Sequence, residues 1–178
     1  MIEGGPVSRT TNLGPVQAFI KKCNQAITSK GFRATVGSAS YKWSCNCGSG
    51  CKSNWWKDTG LSFYTVHYYA WMVDGSNKYD PFNTKPSDWC IYDKPVLIGE
   101  SPAWTDRSLK GTISVANQYY LAKNNGYMGV MPWSDKANTD QAKWSEIQRG
   151  LQCQRNWSSC KPSFVKQSLN TSKNHHHE

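Results

Sequence analysis

Two periods of apolar residues alternate along the chain. After Gly14-Pro15, the positions Val16, Phe19, Ile20, Cys23 and Ile27 recur three and four residues apart, which predicts an amphipathic helix ending near Gly31. Ala34-Thr35-Val36-Gly37-Ser38 is a short apolar run of strand size, and the Cys-, Gly- and Ser-rich stretch from Ser44 to Ser53 reads as a loop. Leu61 to Tyr69, dense in aromatic and β-branched residues, predicts a second strand. Asp74 to Trp89 is turn-rich, and Pro81 and Pro86 exclude a long helix there. Lys94 to Gly99 predicts a third strand, apolar on both faces. A helix over Ser114 to Asn124 ends at Asn125-Gly126, a pair suited to a left-handed C-cap, and Met128 to Pro132 predicts a fourth strand. The last helix begins at Thr139 or Asp140, with Trp144, Ile147 and Leu151 on its inner face.

The four strands lie about thirty residues apart, the spacing of repeating strand–helix units. Strands apolar on both faces belong to a parallel sheet covered by helices, so the fold class is α/β. A doubly wound sheet and a (β/α)8 barrel both fit. No G-x-G-x-x-G or G-x-x-x-x-G-K-[ST] follows any of the strands, which counts against nucleotide binding. A full barrel takes about 250 residues, whereas this chain has 178, so a TIM-barrel reading gives at most half a barrel. Residues 1–152 are expected to form that unit and residues 153–178 a partly disordered C-terminal tail. Half a barrel leaves strand edges and an apolar inner face bare, so self-association, or pairing with the missing N-terminal half, is expected.

Composition narrows the function. With 38% hydrophobic and 19% charged residues the chain is not a disordered one, and no run of about 18 apolar residues offers a membrane-spanning helix. Twenty-one basic against 12 acidic residues give a net charge of +9, but Lys21-Lys22 is the only adjacent basic pair. A scattered basic surface does not predict nucleic-acid binding. Seven cysteines include Cys45, Cys47 and Cys51 close together, yet no histidine stands at a zinc-finger spacing, so disulfides are expected rather than a metal. The sequons Asn156-Trp157-Ser158 and Asn170-Thr171-Ser172 agree with an extracellular protein. No signal peptide opens the chain, which is expected to lack its N-terminal part.

In βα-barrel enzymes the loops after the strands build the site, so the strand ends carry the candidate chemistry. They are Tyr41-Lys42-Trp43, then His67-Tyr68-Tyr69 with Trp71 beyond, then Glu100, then Trp133-Ser134-Asp135. Glu100 follows four apolar residues and a glycine, and a buried carboxylate needs donors or a partner charge. His67 and Tyr69 alternate onto one face, where an imidazole and a phenol could hold that carboxylate ionised and aimed. A structural carboxylate and a core histidine are the competing readings. Trp43, Trp71 and Trp133 are placed to stack on sugar rings, while Trp55, Trp56 and Trp144 are assigned to packing.

Three ordered segments carry a family likeness: Leu61-Ser62-Phe63-Tyr64-Thr65-Val66-His67-Tyr68-Tyr69, Asp93-Lys94-Pro95-Val96-Leu97-Ile98-Gly99-Glu100, and Gly126-Tyr127 through Pro132-Trp133-Ser134. Together they resemble glycoside hydrolase family 5, the cellulase and mannanase group of retaining glycosidases, over roughly Val16 to Ser134. The resemblance implies strands five to eight of a (β/α)8 barrel, with the end of strand four at the N-terminus. It implies Glu100 as nucleophile, His67 and Tyr69 beside it, and Trp133 as a platform under the sugar. It places the acid/base at Glu3, although Ile2 stands where the family has Asn and Gly4 follows. The implied activity is endo-acting hydrolysis of a β-1,4-linked polysaccharide by double displacement, with an oligosaccharide or polysaccharide substrate and no metal or cofactor. The alternative is a non-catalytic carbohydrate-binding relative or an inactive fragment, which the altered Ile2-Glu3-Gly4 run favours.

Overall fold

Asn12 starts the first helix by adopting an extended backbone and accepting the Gly14 amide on its side-chain oxygen at 3.2 Å. Helix α1 (Leu13–Thr28) follows in the computed structural model, which describes residues 12–37, 40–41, 54–69, 79–103, 113–133 and 144–156. Gly31, at φ +80°, closes its C-terminal turn. The helix buries Ile20 and Asn24 and packs Val16 against the core, while Phe19, Cys23 and Ile27 are exposed. The apolar stripe therefore does not all turn inward. The reason is what α1 meets: Gln17 Nε2 donates to the Trp55 carbonyl at 2.5 Å, and a Cβ on Gly60 would lie 2.7 Å from Asn24 Nδ2. The helix docks on the backbone of the 54–60 turn, so amide side chains face inward.

Among the described residues the sheet has three strands rather than four. They are β1 (Tyr64–His67), β2 (Val96–Pro102) and β3 (Gly129–Trp133), all parallel and in that order. The segment expected as the first strand buries Ala34 and Val36 beside β1 but is held largely by side chains. Thr35 Oγ1 donates to the Phe63 carbonyl at 2.8 Å, Thr65 Oγ1 to the Val36 carbonyl at 2.6 Å, and Ser62 N to the Ala34 carbonyl at 2.9 Å. Hydroxyls thus stand in for ladder bonds. Pro86 starts a short 3₁₀ helix (Pro86–Trp89) rather than an α-helix, as the prolines require.

Helix α2 (Val115–Asn124) connects β2 to β3, with Ser114 accepting the Asn117 amide at 3.3 Å and Gly126 at φ +89° beyond its end. Helix α3 (Trp144–Arg155) packs on α2 and continues past residue 152, where the domain was expected to end. Its inner face carries Ile147 and Gly150; Trp144 is 58% exposed and Leu151 is exposed, against expectation. Gly150 decides this. It lets α3 lie directly on the ring of Tyr119, which turns the neighbouring row outward. The helix-side face of the sheet, Val66, Ile98 and Val130, is sealed beneath these elements.

The N-terminal end of the sheet is tightly fastened. Tyr64 Oη donates to Asp93 at 2.9 Å, and Lys94 Nζ donates to the Leu61 carbonyl. Tyr127 Oη donates to Tyr41 Oη at 2.9 Å, and the Tyr41 ring stacks on Trp89 with centroids 4.5 Å apart. Asn125 Nδ2 reaches the Pro81 and Phe82 carbonyls at 3.2 and 2.8 Å, tying the end of α2 to the loop before β2. Cys90 and Cys153 each take part in a disulfide bond, and Cys23 is a free thiol. No helix among the described residues is long and apolar enough to cross a membrane.

Candidate active site

Side chains of a strand alternate between its faces, so the pairing register decides what Glu100 can touch. Thr65 pairs with Leu97 and Val66 with Ile98, but His67 pairs with Glu100. Gly99 is the additional residue of a β-bulge, and it shares the inner side of the sheet with Glu100. The β3 side registers the same slip, since Ile98 pairs with Val130 and Ser101 with Pro132. Without the bulge, alternation would turn Glu100 toward the helices.

The bulge needs glycine for room rather than for backbone angle. A Cβ at position 99 would lie 3.1 Å from His67 Nε2, 3.2 Å from His67 Cδ2 and 3.2 Å from Thr65 Cβ. The imidazole occupies the space a side chain would take. Nearby, the Tyr68 amide donates to the Glu100 carbonyl at 2.9 Å and fixes the strand end across the bulge.

The two carboxylate oxygens of Glu100 meet different neighbours. His67 Nδ1 lies 3.5 Å from Oε1, and Tyr69 Oη donates to Oε2 at 3.3 Å. The Glu100 side chain is 16% exposed, while His67 and Tyr69 are buried, so the carboxylate opens to solvent from a largely dry surround. Burial first, then the negative charge of Glu100 and the hydrogen bond to it, push the Tyr69 phenol well above its ordinary pKa. Tyr69 therefore stays a neutral donor at every pH where the carboxylate would act. A carboxylate held by Tyr69, flanked by the His67 imidazole and left partly open can attack an electrophilic carbon or stabilise a developing positive charge.

Trp133 ends β3 on the inner side, 52% exposed, with Met131 two residues before it on the same side and also exposed. Trp55 and Trp56 are packed in or against the core, as expected, whereas Trp144 is not. Glu3, Trp43 and Trp71 lie outside the described residues. Sequence reasoning missed Gly99 as a bulge and Ser101 and Gln118 behind it; a lone glycine inside an apolar strand run was the available signal for the first.

A curated protein, a mannan endo-1,4-beta-mannosidase from Cryptopygus antarcticus, is 33% identical over 100 residues, which is 56% of this chain and 24% of that protein. Among solved structures, a beta-1,4-mannanase from the common sea hare Aplysia kurodai is similar in fold, with a TM-score of 0.56 and 22% identity over 76% of this chain and 40% of that one. The chain thus spans about a quarter of the length of the curated relative and two fifths of the solved one. No family model matches the sequence. The chain is similar to glycoside hydrolases of mannanase type, and its parallel strands and covering helices fit an α/β fold of that kind.

Proposed function

We propose that this chain is the nucleophile-bearing portion of a secreted endo-β-1,4-mannanase of the glycoside hydrolase family 5 type, a (β/α)8 barrel of which it supplies the C-terminal half. One observation carries the reading: Glu100 ends a bulged parallel strand with one oxygen beside His67 Nδ1 and the other accepting from Tyr69. That is the arrangement a retaining glycosidase needs of its nucleophile. The Glu100 carboxylate attacks the anomeric carbon, and a second carboxylic acid protonates the departing glycosidic oxygen. The glycosyl ester is then hydrolysed by a water that the second carboxylate deprotonates, which frees Glu100 again. Tyr69 and His67 hold the attacking carboxylate in place through both steps.

The second carboxyl group stands about 5–5.5 Å from the nucleophile in retaining enzymes, and Glu3 is the candidate for it. Trp133 is the sugar platform of this reading, and Trp43 and Trp71 are its further candidates for stacking on sugar. Mannan is favoured over glucan because the curated relative and the solved structure are both named as mannanases. A second reading, a carbohydrate-binding or inactive portion, is favoured by Ile2 and Gly4 around Glu3.

A product assay of the purified chain on β-1,4-mannan, β-glucan and cellulose, with Glu100→Gln in parallel, separates the two. The expected outcome is release of manno-oligosaccharides that the substitution abolishes without changing the fold, by a factor of about 10³ or more in kcat. Equal rates in the two proteins would remove Glu100 as nucleophile. Folded chain that binds mannohexaose in a calorimeter but releases no product would establish the binding reading.

A further inference from the structure

Behind the bulge lies a buried polar pair that the proposed chemistry does not use. Ser101 and Gln118 are both 0% exposed. Ser101 Oγ donates to Gln118 Oε1 at 2.7 Å, and Gln118 Nε2 donates to the Pro102 carbonyl at 3.0 Å. Gln118 sits on α2 among Val115, Ala116, Tyr119 and Ala122, all buried. An amide in such a layer is costly unless each polar atom is satisfied, and an apolar side chain of similar volume would fill the space more cheaply. Among the described residues its side-chain bonds reach only β2, at the two residues that follow Glu100.

The register explains why those residues matter. With the bulge, Gly99 and Glu100 both face the inner side, and Ser101 faces the helices. Without it, Glu100 would face α2 and Ser101 the inner side, because a one-residue slip exchanges the faces. Only in the bulged register can Gln118 receive the Ser101 hydroxyl. In the other it would meet a buried carboxylate and lose its donor.

We propose that Gln118, acting through Ser101 and the Pro102 carbonyl, is a positioning residue that locks the bulge of β2 and so aims the Glu100 carboxylate between His67 and Tyr69. The assignment rests on the reading of Glu100 as nucleophile for its catalytic consequence, but the aim of the carboxylate is measurable without turnover. Gln118→Leu removes both hydrogen bonds at similar volume, and Ser101→Ala removes one at smaller structural risk.

The first readout is the His67 ring nitrogen shift in 15N-histidine-labelled chain, assigned by its loss in His67→Gln. Glu100→Gln shifts that resonance in the native background, because the carboxylate lies beside Nδ1. In the Gln118→Leu and Ser101→Ala backgrounds the same substitution is expected to leave it unmoved, with the far-ultraviolet dichroism unchanged.

The second readout is covalent labelling by 2-deoxy-2-fluoro-β-mannosyl fluoride. The Glu100 oxygen forms an ester bond to the anomeric carbon as the carbon–fluorine bond breaks and fluoride leaves with its electron pair, so no acid is needed. A misplacement of about 1 Å lowers such a rate about a hundredfold, and each variant is expected to lose about that factor in maximal rate with half-saturation unchanged. The double variant loses no more than either single one, since both act through one latch. A His67 response to Glu100→Gln that persists in Gln118→Leu, with labelling within about twofold of native, would reduce the pair to packing. A native chain that takes no label would instead sink the nucleophile reading, while the nitrogen shift still decides the latch.

Discussion

Alanine at position 150 would drive a methyl group into the ring of Tyr119. A Cβ built there lies 2.6 Å from the ring Cγ and 2.7 Å from Cε2, whereas carbon atoms rest at about 3.5–4.0 Å. Ring and helix must therefore part by about 1 Å. Tyr119 is 1% exposed and belongs to the core cluster, so its ring has no open space to enter. Two effects oppose each other. Alanine favours a helix interior over glycine by about 1 kcal/mol, and overpacking costs about 1–3 kcal/mol or more. Several ring atoms lie inside the repulsive wall, which puts the clash at or above the upper figure and leaves a net loss of about 2 kcal/mol. Urea unfolding followed by tryptophan fluorescence would read this as a lower midpoint. In a Tyr119→Ala background, which removes the whole ring, the same alanine should gain about 1 kcal/mol, a coupling of about 3 kcal/mol. If Gly150→Ala proves as stable as the native chain, α3 does not bear on Tyr119 and the account of which α3 face turns inward is wrong. Tyr119 follows Gln118 directly, so the displacement that destabilises the helix pair should also slow labelling of Glu100.

Tyr69→Phe withdraws the donor on Glu100 Oε2; at 3.3 Å the bond is long, so steady-state kinetics on mannan should show kcat lower by about tenfold, with KM little changed. Gly99→Ala crowds the imidazole at 3.1 Å and should lower kcat while changing the unfolding midpoint little; a variant with native kcat would mean that His67 has room to spare. Burial raises the pKa of both Tyr41 and Tyr127 in the folded chain, so the unfolded chain releases these protons first. Their stabilisation is complete below about pH 10 and is lost progressively as the pH rises above it. Absorbance at alkaline pH should show these phenols ionising together with unfolding, and a smooth tyrosine titration in folded chain would contradict it.

Much of the scaffold was legible because periodicity reports burial directly. The apolar runs around Val66, Ile98 and Val130 form the sealed side of the sheet, and Ser114 and Gly126 bound α2 as their types require. Alternation alone placed His67 and Tyr69 on one side. What stayed hidden depends on backbone meeting backbone. The run from Ala34 has strand composition, but hydroxyls from Thr35, Thr65 and Ser62 replace its ladder bonds. The inward face of α1 is set by the polar turn at 54–60, which no apolar moment anticipates. The pairing of Glu100 with His67 depends on one additional residue, whose sequence mark is a glycine of a kind that strands also carry for other reasons.

The fastening at the N-terminal end of the sheet gives the molecule two ends with different tolerance for change. There, Tyr41, Trp89, Tyr127, Asn125 and Asp93 interlock loops far apart in sequence, so a replacement disturbs several elements at once. At the opposite end, Met131 and Trp133 stand partly in solvent, and among the described residues replacing them strands no buried partner. Mutational drift can therefore reshape that rim, one side chain at a time, on a base that keeps folding. A family of such chains would diverge first in what it recognises and last in how it holds together.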